Sequence, residues 1–419
     1  MLVPDLLGGF TKQAEKSSGE RPVSGLEPAV VEAENERGRM QTTMKHSVSV
    51  MGLPLAPVTL GEAVERIEAM IESGESHQVA TANLDFWLNS THDEHLHRIL
   101  AGCDMVLADG MPLVWASRVL GDALPERVTG VDLVPQMMAL SARKGYRVFL
   151  LGGREGVAER AKAMFEQQFP GVQICGIYAP PAATLEEMDN VEIVERVKAA
   201  KPDMLLVSFG NPKQEKWIWM NKKRLGVPVA VGIGGSLDML LGDLKRAPRW
   251  MQKTGLEWAM RLAQEPRRLG PRYARDFMGL VTKLPLALLG KLTQGRVTAA
   301  GTSLLRESDT ELHLHIQGDF DGSLAEVVDA VVDRALAESK AVCLHMDGVE
   351  RMTAAGAGLM LDTRRRLYPA GLAVDMAGMP VRLRMLMYQW GLSPLFGEYV
   401  ANKGRRIGDR QQPVWGTIK

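Results

Sequence analysis

The stretch DMLLVSFGNPKQEKWIWMNKKRLGVPVAVGIGG, residues 203–235, decides the fold class of this protein. It contains an apolar run, a segment with helical periodicity that begins after Pro212, and a second apolar run that ends in glycines. Proline stops the first strand and fits the first turn of the following helix, because that turn needs no amide donor. A strand, a helix and a strand in this order are typical of a parallel sheet covered by helices.

The same alternation extends from this stretch towards the N-terminus and reaches VSVMGLPLAPVT, residues 48–59. We therefore predict an α/β fold over residues 46–244, with a Rossmann-like, mostly parallel sheet. Ligands in such folds bind at the carboxyl ends of the strands, where this sequence carries its unusual polar residues and glycines. The strands that carry them are HQVATANLDF (77–86), MVLAD (105–109), RVFLLGG (147–153) and DMLLVSFG (203–210).

The remainder of the chain divides into segments of different composition. Residues 1–45 are rich in Gly, Glu, Ser and Arg and have little periodicity, which predicts a disordered leader. Residues 309–400 show a second alternation of strands and helices, which predicts a smaller α/β domain. We further predict a basic helical appendage (245–291), a linker (292–308) and a C-terminal tail (401–419).

Charge is balanced over the whole chain but not within the appendage. Lys+Arg and Asp+Glu both number 50, so the formal net charge is zero, which argues against a nucleic-acid partner. Residues 245–291 hold eleven basic and three acidic residues, a local charge of +8, interleaved with aromatic side chains. Such a segment is typical of a surface that meets an anionic membrane, and equally of a solvated helical face.

Cysteine content and apolar runs indicate the compartment. Three cysteines, odd in number and far apart, fit a reducing environment without a disulfide framework. No run of about 18 apolar residues is present, and the N-terminus lacks the apolar core of a signal peptide. We predict a cytoplasmic protein whose membrane contact is peripheral.

Polar residues at two strand ends are the first candidates for chemistry. Asp109 follows the apolar run MVLA, and Thr81 and Asn83 follow QVA. A carboxyl group at the end of an apolar strand is partly desolvated, which raises its pKa and suits a general base. The alternative for Asp109 is a helix N-cap, a position that aspartate commonly fills.

Two glycine-rich turns follow strands of the predicted sheet. Gly152 and Gly153 lie between a strand and a helix, and Gly234 and Gly235 occupy the corresponding place later in the chain. Glycine lets a backbone approach a phosphate at a helix N-terminus, so two such turns favour a nucleotide, although tight turns alone would explain them. Neither matches the dinucleotide fingerprint, which disfavours a nicotinamide oxidoreductase.

The first turn of the helix after Pro212 carries Lys213, Gln214 and Glu215. These long polar side chains exceed what helix capping needs, and we expect them to face the strand-end cleft. His92 and His95 are three residues apart on a predicted helix, a spacing that could hold a metal ion. No further ligand at a suitable spacing supports a metal site there. Asp319-Phe320-Asp321 lies beside a turn glycine and is interpreted as turn chemistry. We therefore predict no metal and no cofactor.

Seven segments, in order, resemble the WecG/TagA/CpsF glycosyltransferase family over residues 48–285. This resemblance implies transfer of an N-acetylmannosamine-type or related sugar from a UDP-sugar to a polyprenyl-diphosphate-linked sugar, in extracellular polysaccharide biosynthesis. It further implies inversion at the anomeric carbon, no metal, and action at the inner face of the cell membrane. The segments are TANLDF, VLADGMP, ERVTGVDL, FLLGGREG, SFGNPKQEKW, VGIGGSLDMLLGDLKRAPRW and GLEWAMRLAQEPRRLGPRY.

The resemblance also implies roles for particular residues. Asp109 matches the proposed base, with Thr81 and Asn83 in the pocket beside it. Arg127 and Gln214 match further pocket positions. The basic appendage matches a segment that meets the membrane and lends arginines to the diphosphate, and the choice among these arginines stays open. The candidates are Arg246, Arg249, Arg261, Arg267 and Arg268.

Residues 309–400 resemble a STAS domain of the anti-sigma-factor-antagonist type. The phosphorylated loop of that family usually reads Asp-Ser-Ser-Gly, and here the stretch is Thr353-Ala354-Ala355-Gly356. The resemblance therefore implies a protein-interaction or regulatory module without the usual phosphorylation switch, or a structural appendage. An alternative function is a degenerate transferase core that serves as a scaffold for this domain, but the intact Asp109 and Gln214 favour an enzyme. The sequence leaves a homo-oligomer open.

Overall fold

The computed structural model describes residues 46–243, 247–248, 250–251, 255–294 and 301–396, except the side chain of Arg268, together with the backbone of Arg21–Pro22. The predicted tail and the rest of the predicted leader lie outside the described residues. In chain order the strands are β1 Arg21–Pro22, β2 Val48–Val50, β3 Leu53–Leu55, β4 His77–Ala82, β5 Met105–Ala108, β6 Arg147–Gly152, β7 Gln173–Tyr178, β8 Met204–Ser208, β9 Val229–Gly232, β10 Thr302–Glu307, β11 Glu311–Phe320, β12 Ala341–Met352 and β13 Val374–Ala377.

The helices connect these strands and form the appendage. They are α1 Leu60–Glu72, α2 Leu84–Ser90, α3 Glu94–Gly102, α4 Met111–Leu120, α5 Gly130–Lys144, α6 Val157–Gln168, α7 Asn190–Ala200, α8 Lys213–Leu225, α9 Ser236–Leu240, α10 Glu257–Gln264, α11 Pro266–Leu292, α12 Ala325–Glu338, α13 Ala354–Leu367 and α14 Val381–Gln389. Within the described residues, none of these helices is both long enough and apolar enough to cross a bilayer.

The N-terminal unit is built on a sheet of six strands in the order β5-β4-β9-β8-β6-β7, and each neighbouring pair is parallel. The predicted α/β fold with a mostly parallel sheet is therefore confirmed. The chain leaves β4 towards its neighbour β5, whereas it leaves β5 in the opposite direction, across the sheet to β6. Loops that leave a sheet in opposite directions open a crevice at the carboxyl ends of the strands, and ligands bind there.

Both faces of this sheet are covered, which is why its strands are almost continuously apolar. One layer packs α1, α5 and α6 against the sheet through side chains such as Ile67, Met137 and Phe165. The other layer packs α7 and α8 through side chains such as Val197 and Trp217. The two apolar layers hold the strand ends, and the turns that follow them, in fixed positions.

The C-terminal unit has a sheet of its own, in the order β1-β10-β11-β12-β13, with α12 and α13 packed on one face. β10 pairs antiparallel with β11, and the pairs β11–β12 and β12–β13 are parallel. Thr302–Glu307 fell within the predicted linker, and the structure instead pairs these residues with β11. The physical reason is that Leu305 packs against the apolar core of the unit.

The two units share one continuous apolar core. Ser47, just before β2, donates hydrogen bonds from its backbone N–H and its hydroxyl to Asp362 on α13, at 2.8 and 2.9 Å. The Trp390 indole after α14 donates to the carbonyl of Ala287 on α11, at 3.2 Å. Because these contacts are buried or half-buried, the C-terminal unit is docked on the N-terminal unit by packing as well as by the connecting chain.

Candidate active site

Asp109 lies directly after β5, at the crevice described above. Its backbone N–H donates to the carbonyl of Ala82 at 2.7 Å, which fixes the residue beside the end of β4. Burial raises the pKa of the Asp109 carboxyl group to about 7, against the opposing effect of the positive charges on Arg261 and Arg127. A carboxyl group with this pKa can take up a proton near neutral pH and release it again.

Arg127 connects this site to the appendage. Its Nη1 donates to Glu257 Oε2 at 2.7 Å, and its Nη2 lies 3.8 Å from Asp132 Oδ2. Glu257 begins α10 and its side chain is 7% exposed, so the ion pair is largely shielded from water. The pocket position that the resemblance implied for Arg127 therefore adjoins Asp109, and α10 closes one side of it.

Arg261 is one turn further along α10 and is the arginine that the structure brings near Asp109. Its charge is the largest of the effects that lower the pKa of Asp109 against burial. Its Nη2 is 3.9 Å from Glu257 Oε1, and its buried Nε has no hydrogen-bond partner among the described residues. Because its side chain is 36% exposed, the guanidinium group of Arg261 is accessible and suited to bind a phosphate.

Glycine at position 255 allows α10 to approach the core. Its φ is +78°, and a Cβ atom there would lie 2.7 Å from both Met111 Cγ and Trp115 Cζ2 on α4. A side chain at this position would push α10 away from α4, and with it Glu257 and Arg261 away from Asp109. The sequence offers Arg261 only as one of five arginines and does not distinguish Glu257, because the return of α10 over the cleft leaves no local signal.

Thr81 and Asn83 lie at the end of β4, beside Asp109. The Thr81 hydroxyl donates to the carbonyl of Gly232 at 2.9 Å, and this bond joins β4 to β9 at the floor of the crevice. Asn83 Oδ1 accepts from the backbone N–H of Phe86 and caps α2. Both side chains thus have structural hydrogen bonds, and a role in binding substrate stays a prediction.

Gln214 is fully buried and joins two strand-end loops. Its Oε1 accepts from the backbone N–H groups of Gly210 and Gly234, at 3.2 and 3.0 Å, and its Nε2 donates to Glu215 Oε1 at 2.8 Å. Lys213 donates to the carbonyl of Ala183, a contact to the side of the cleft. The expected set of three cleft-facing side chains is therefore divided, and Gln214 holds the loops in place from beneath.

The two glycine turns lie next to each other at the same edge of the sheet. Gly152 has a φ of +91°, and a Cβ atom there would lie 2.7 Å from the carbonyl oxygen of Ser208. The Ser208 hydroxyl donates to the carbonyl of Gly234 at 2.5 Å. The carbonyl of Ser208 accepts from the backbone N–H of Gly153 at 2.9 Å. Gly235 precedes the short helix α9. Glycines at this edge carry no side chains, so the strand-end loops leave space for a ligand there.

Of the remaining predicted site residues, Arg246 and Arg249 lie outside the described residues. His97, two residues after His95, bonds through Nε2 to the carbonyl of Gly52 at 3.0 Å. Among the described residues, the His, Cys, Asp and Glu groups close enough to share a metal ion lie in the C-terminal unit rather than around Asp109. The site thus combines one carboxyl group with a raised pKa, two arginines and two glycine turns.

Comparison with known proteins identifies the family of each part of the chain. Residues 48–295, more than half of the chain, match the glycosyl transferase WecG/TagA/CpsF family, and residues 303–404 match the STAS domain. An N-acetylglucosaminyldiphosphoundecaprenol N-acetyl-beta-D-mannosaminyltransferase of Staphylococcus aureus (strain MW2) is 28% identical over 225 residues, 53% of this chain and 87% of that protein. The enzyme of the same name from Bacillus subtilis (strain 168) is 28% identical over 228 residues, 54% of this chain and 85% of that protein.

The match to the family begins at β2 and ends just after α11, so it includes every residue of the site described above. The STAS match begins within β10 and covers the C-terminal sheet and its helices. The chain therefore belongs to the WecG/TagA/CpsF glycosyltransferase family and carries a C-terminal STAS domain.

Proposed function

We propose that this glycosyltransferase moves an N-acetylmannosamine-type sugar from a UDP-sugar to a polyprenyl-diphosphate-linked sugar, with inversion at the anomeric carbon. The observation that carries the proposal is Asp109, a carboxyl group with a pKa raised to about 7 between Arg127 and Arg261. The names of the two relatives specify an N-acetylglucosaminyl-diphospholipid acceptor and a β-linked mannosaminyl product. Attack opposite to the leaving group converts an α-linked donor into such a product.

In the transfer step, the acceptor hydroxyl oxygen forms a bond to the anomeric carbon of the donor while the bond to the UDP oxygen breaks. The Asp109 carboxylate takes the hydroxyl proton as the oxygen attacks, because an uncharged sugar hydroxyl is a weak nucleophile. UDP leaves as an anion, and charge develops on its diphosphate in the transition state. Arg261 and Arg127 neutralise that charge, since the N–H groups of Gly153 and Gly234 are already hydrogen-bonded within the loops.

This arrangement makes a divalent metal ion unnecessary at the diphosphate. Arginine side chains bind phosphate oxygens through paired N–H groups and carry a fixed positive charge, so they supply what a metal ion would otherwise supply. The Arg261 side chain is 36% exposed although its Nε is buried, which leaves its terminal nitrogens for the ligand. Transfer that continues at an unchanged rate in EDTA supports this part of the proposal, and a strict requirement for Mg²⁺ or Mn²⁺ contradicts it.

The acceptor lipid keeps its tail in the bilayer, so the enzyme acts at the inner face of the membrane as a peripheral protein. The long helix α11 has two kinds of apolar residue along its length. Leu280, Leu284 and Leu288 pack against the core. Six others are between 50 and 76% exposed: Phe277, Met278, Val281, Leu286, Leu289 and Leu292.

This division separates the apolar residues of α11 that pack on the protein from those that can enter the headgroup region of a bilayer. The exposed residues remain available for that contact, beside the basic residues of the same helix. Apolar side chains next to cations are the combination that binds an anionic lipid surface. We include this docking in the proposal because it brings the cleft to an acceptor that cannot leave the bilayer.

A direct test measures UDP release and product mass with the purified full-length protein. The acceptor is a short-chain polyprenyl-diphosphate-N-acetylglucosamine, and the donors compared are UDP-N-acetylmannosamine and UDP-N-acetylglucosamine. We expect a lipid-linked disaccharide with the first donor and little product with the second. Failure to form product with any UDP-sugar would favour the alternative, a degenerate core that serves as a scaffold for the STAS domain.

A further inference from the structure

The STAS sheet carries a cluster of metal-binding side chains that the transferase reaction does not use. His313 and His315 alternate along β11, and Cys343 and His345 alternate along β12. The parallel register places His313 opposite Cys343 and His315 opposite His345. Alternate residues of a strand share one face, so these four side chains lie together on one face of the sheet.

This face is opposite to the one covered by helices. The intervening residues, such as Leu312, Leu314 and Leu344, belong to the apolar core beneath α12 and α13. His313 is 4% exposed and Cys343 is 8% exposed, whereas His315 and His345 are half-buried. Packing alone would be served equally well by aliphatic side chains at these positions, so the imidazoles and the thiol call for another explanation.

The distances within the cluster fit a small tetrahedral ion. One ligand atom each of His313, Cys343 and His345 lie within 4.8 Å of one another, and His313 Nδ1 is 3.2 Å from His345 Nε2. Bonds of about 2.0–2.3 Å to a tetrahedral zinc ion require ligand atoms about 3.3–3.6 Å apart. The two nitrogens, at 3.2 Å, are close to the lower end of this range, and the Cys343 sulfur lies within 4.8 Å of one nitrogen of each ring.

A carboxylate behind His313 strengthens this assignment. Glu311 Oε2 lies 3.5 Å from His313 Nε2, which is the ring nitrogen that faces away from His345. Histidine ligands of metal ions commonly donate their second N–H group to a carboxylate, which fixes the tautomer and orients the other nitrogen towards the metal. Glu311 is placed to do this for His313 Nδ1.

We propose that His313, Cys343 and His345 bind one Zn²⁺ ion per chain, with a fourth ligand from solvent. Imidazole and thiolate together favour zinc over the hard ions Mg²⁺ and Ca²⁺. A second group, His315, His345 and Asp347, shares His345 with the first. We assign the ion to the first group because it contains the thiol and is buried, whereas Asp347 is exposed. The ion links β11 to β12 and stabilises the STAS domain against unfolding.

Cobalt substitution tests this site without reference to transferase activity. The full-length protein, free of any affinity tag, is titrated with Co²⁺ and then with Zn²⁺. We expect visible d–d bands of a tetrahedral ion and a near-ultraviolet thiolate charge-transfer band, which saturate at one Co²⁺ per chain and disappear when Zn²⁺ is added. Absence of the charge-transfer band from the wild-type protein overturns the proposal, whatever the variants do.

Variants then assign the ligands. Cys343→Ser should abolish the charge-transfer band. His345→Ala should weaken Zn²⁺ binding at least as much as Glu311→Gln does, because it removes a ligand itself. Glu311→Gln should weaken it by about 10- to 100-fold. The matched control is His92→Ala, an exposed histidine in the transferase unit, which should leave affinity unchanged. Far-ultraviolet circular dichroism confirms folding, and wild-type Zn²⁺ affinity in His345→Ala contradicts the assignment.

Discussion

Asp109 in the transferase unit and Asp319 in the STAS domain are both shielded carboxylates, and they serve opposite purposes. Asp109 follows a strand at an open crevice, and burial raises its pKa to about 7. Asp319 lies within β11, is 1% exposed, and its Oδ2 is 3.0 Å from Nη2 of Arg351, its cross-strand partner on β12. A partly desolvated acid at a strand end is ready to exchange a proton, whereas an ion-paired acid inside a sheet holds two strands together.

The loops at the strand ends also differ between the two units. In the transferase unit, the N–H groups of Gly153 and Gly234 donate to Ser208 and Gln214, so hydrogen bonds fix the glycine turns to one another. In the STAS domain, the Thr353 hydroxyl accepts from the backbone N–H of Gly356 and caps α13. The N–H of Ala355 donates to Asp122 of the transferase unit at 3.1 Å. The loop that resembles a phosphorylation site is thus used for capping and docking.

The largest expected effect that tests this contrast is on turnover. Asp109→Asn keeps the shape and polarity of the side chain but removes the base. We expect kcat to fall by about 10²- to 10⁴-fold, because the proton must leave the acceptor hydroxyl in the transition state. Asp319→Asn is the matched control and should leave kcat unchanged. Equal turnover of Asp109→Asn and wild type would remove Asp109 from the mechanism.

The two variants should also differ in stability. The folded protein keeps a proton on Asp109 between about pH 4 and pH 7, a range in which the unfolded chain has released it. The contribution of Asp109 to the free energy of unfolding therefore falls as pH rises through that window. Asparagine does not ionise, so the variant avoids this fall. At about pH 8, urea denaturation should show Asp109→Asn to be at least as stable as wild type.

The next effect in size concerns Arg261. Arg261→Ala removes one positive group from the developing diphosphate charge, and we expect kcat/KM to fall by about 10- to 100-fold. Arg267→Ala, which alters an exposed arginine at the start of α11, is the control and should change kcat/KM by less than about twofold. Similar losses in both variants would indicate a general charge effect rather than a specific contact.

A smaller effect is expected in the STAS domain. Asp319→Asn leaves the half-buried Arg351 without its partner, and we expect the free energy of unfolding to fall by about 1–3 kcal/mol. Arg351 retains some exposure to water, which keeps the loss below that of a fully buried pair. Chemical denaturation at neutral pH measures the change. A stability equal to that of wild type would show that the ion pair does not hold β11 to β12.

The smallest effect concerns the membrane surface. Met278 on α11 and Met385 on α14 are 62% and 60% exposed, so they form a matched pair in the two regions. Met278→Ser should weaken binding to anionic liposomes by about fivefold, whereas Met385→Ser should have no effect. Binding of the wild-type protein should also weaken in high salt. Equal weakening by both substitutions would place the STAS helix at the membrane as well.

Much of the fold could be predicted from sequence because alternating apolar and helical segments specify a parallel sheet locally. The strand-end position of Asp109 follows from the same pattern, since the acid directly ends an apolar run. Glu257 and Arg261 could not be assigned to the site, because their position depends on how α10 packs back across α4. No local pattern encodes that packing, and Gly255 allows it only through its lack of a side chain.

The histidine and cysteine cluster was missed for a related reason. His313 and Cys343 are separated by 30 positions in sequence, and they meet only because β11 and β12 pair in parallel register. A zinc motif with its ligands in one short segment is visible in sequence, whereas one that spans two strands is visible only after the pairing is known. The strand β10 was placed in a linker because its short apolar core gives a weak periodic signal.

The pH dependence of kcat/KM tests the central claim most directly, since it reports the ionisation of the free enzyme's base. Wild-type kcat/KM should rise with pH and level off above an apparent pKa of about 7, because only ionised Asp109 accepts the acceptor's proton. The residual activity of Asp109→Asn should lack this rise. A wild-type profile that is flat between about pH 5 and pH 9, or a rise that persists in Asp109→Asn, would contradict the assignment of Asp109 as the base.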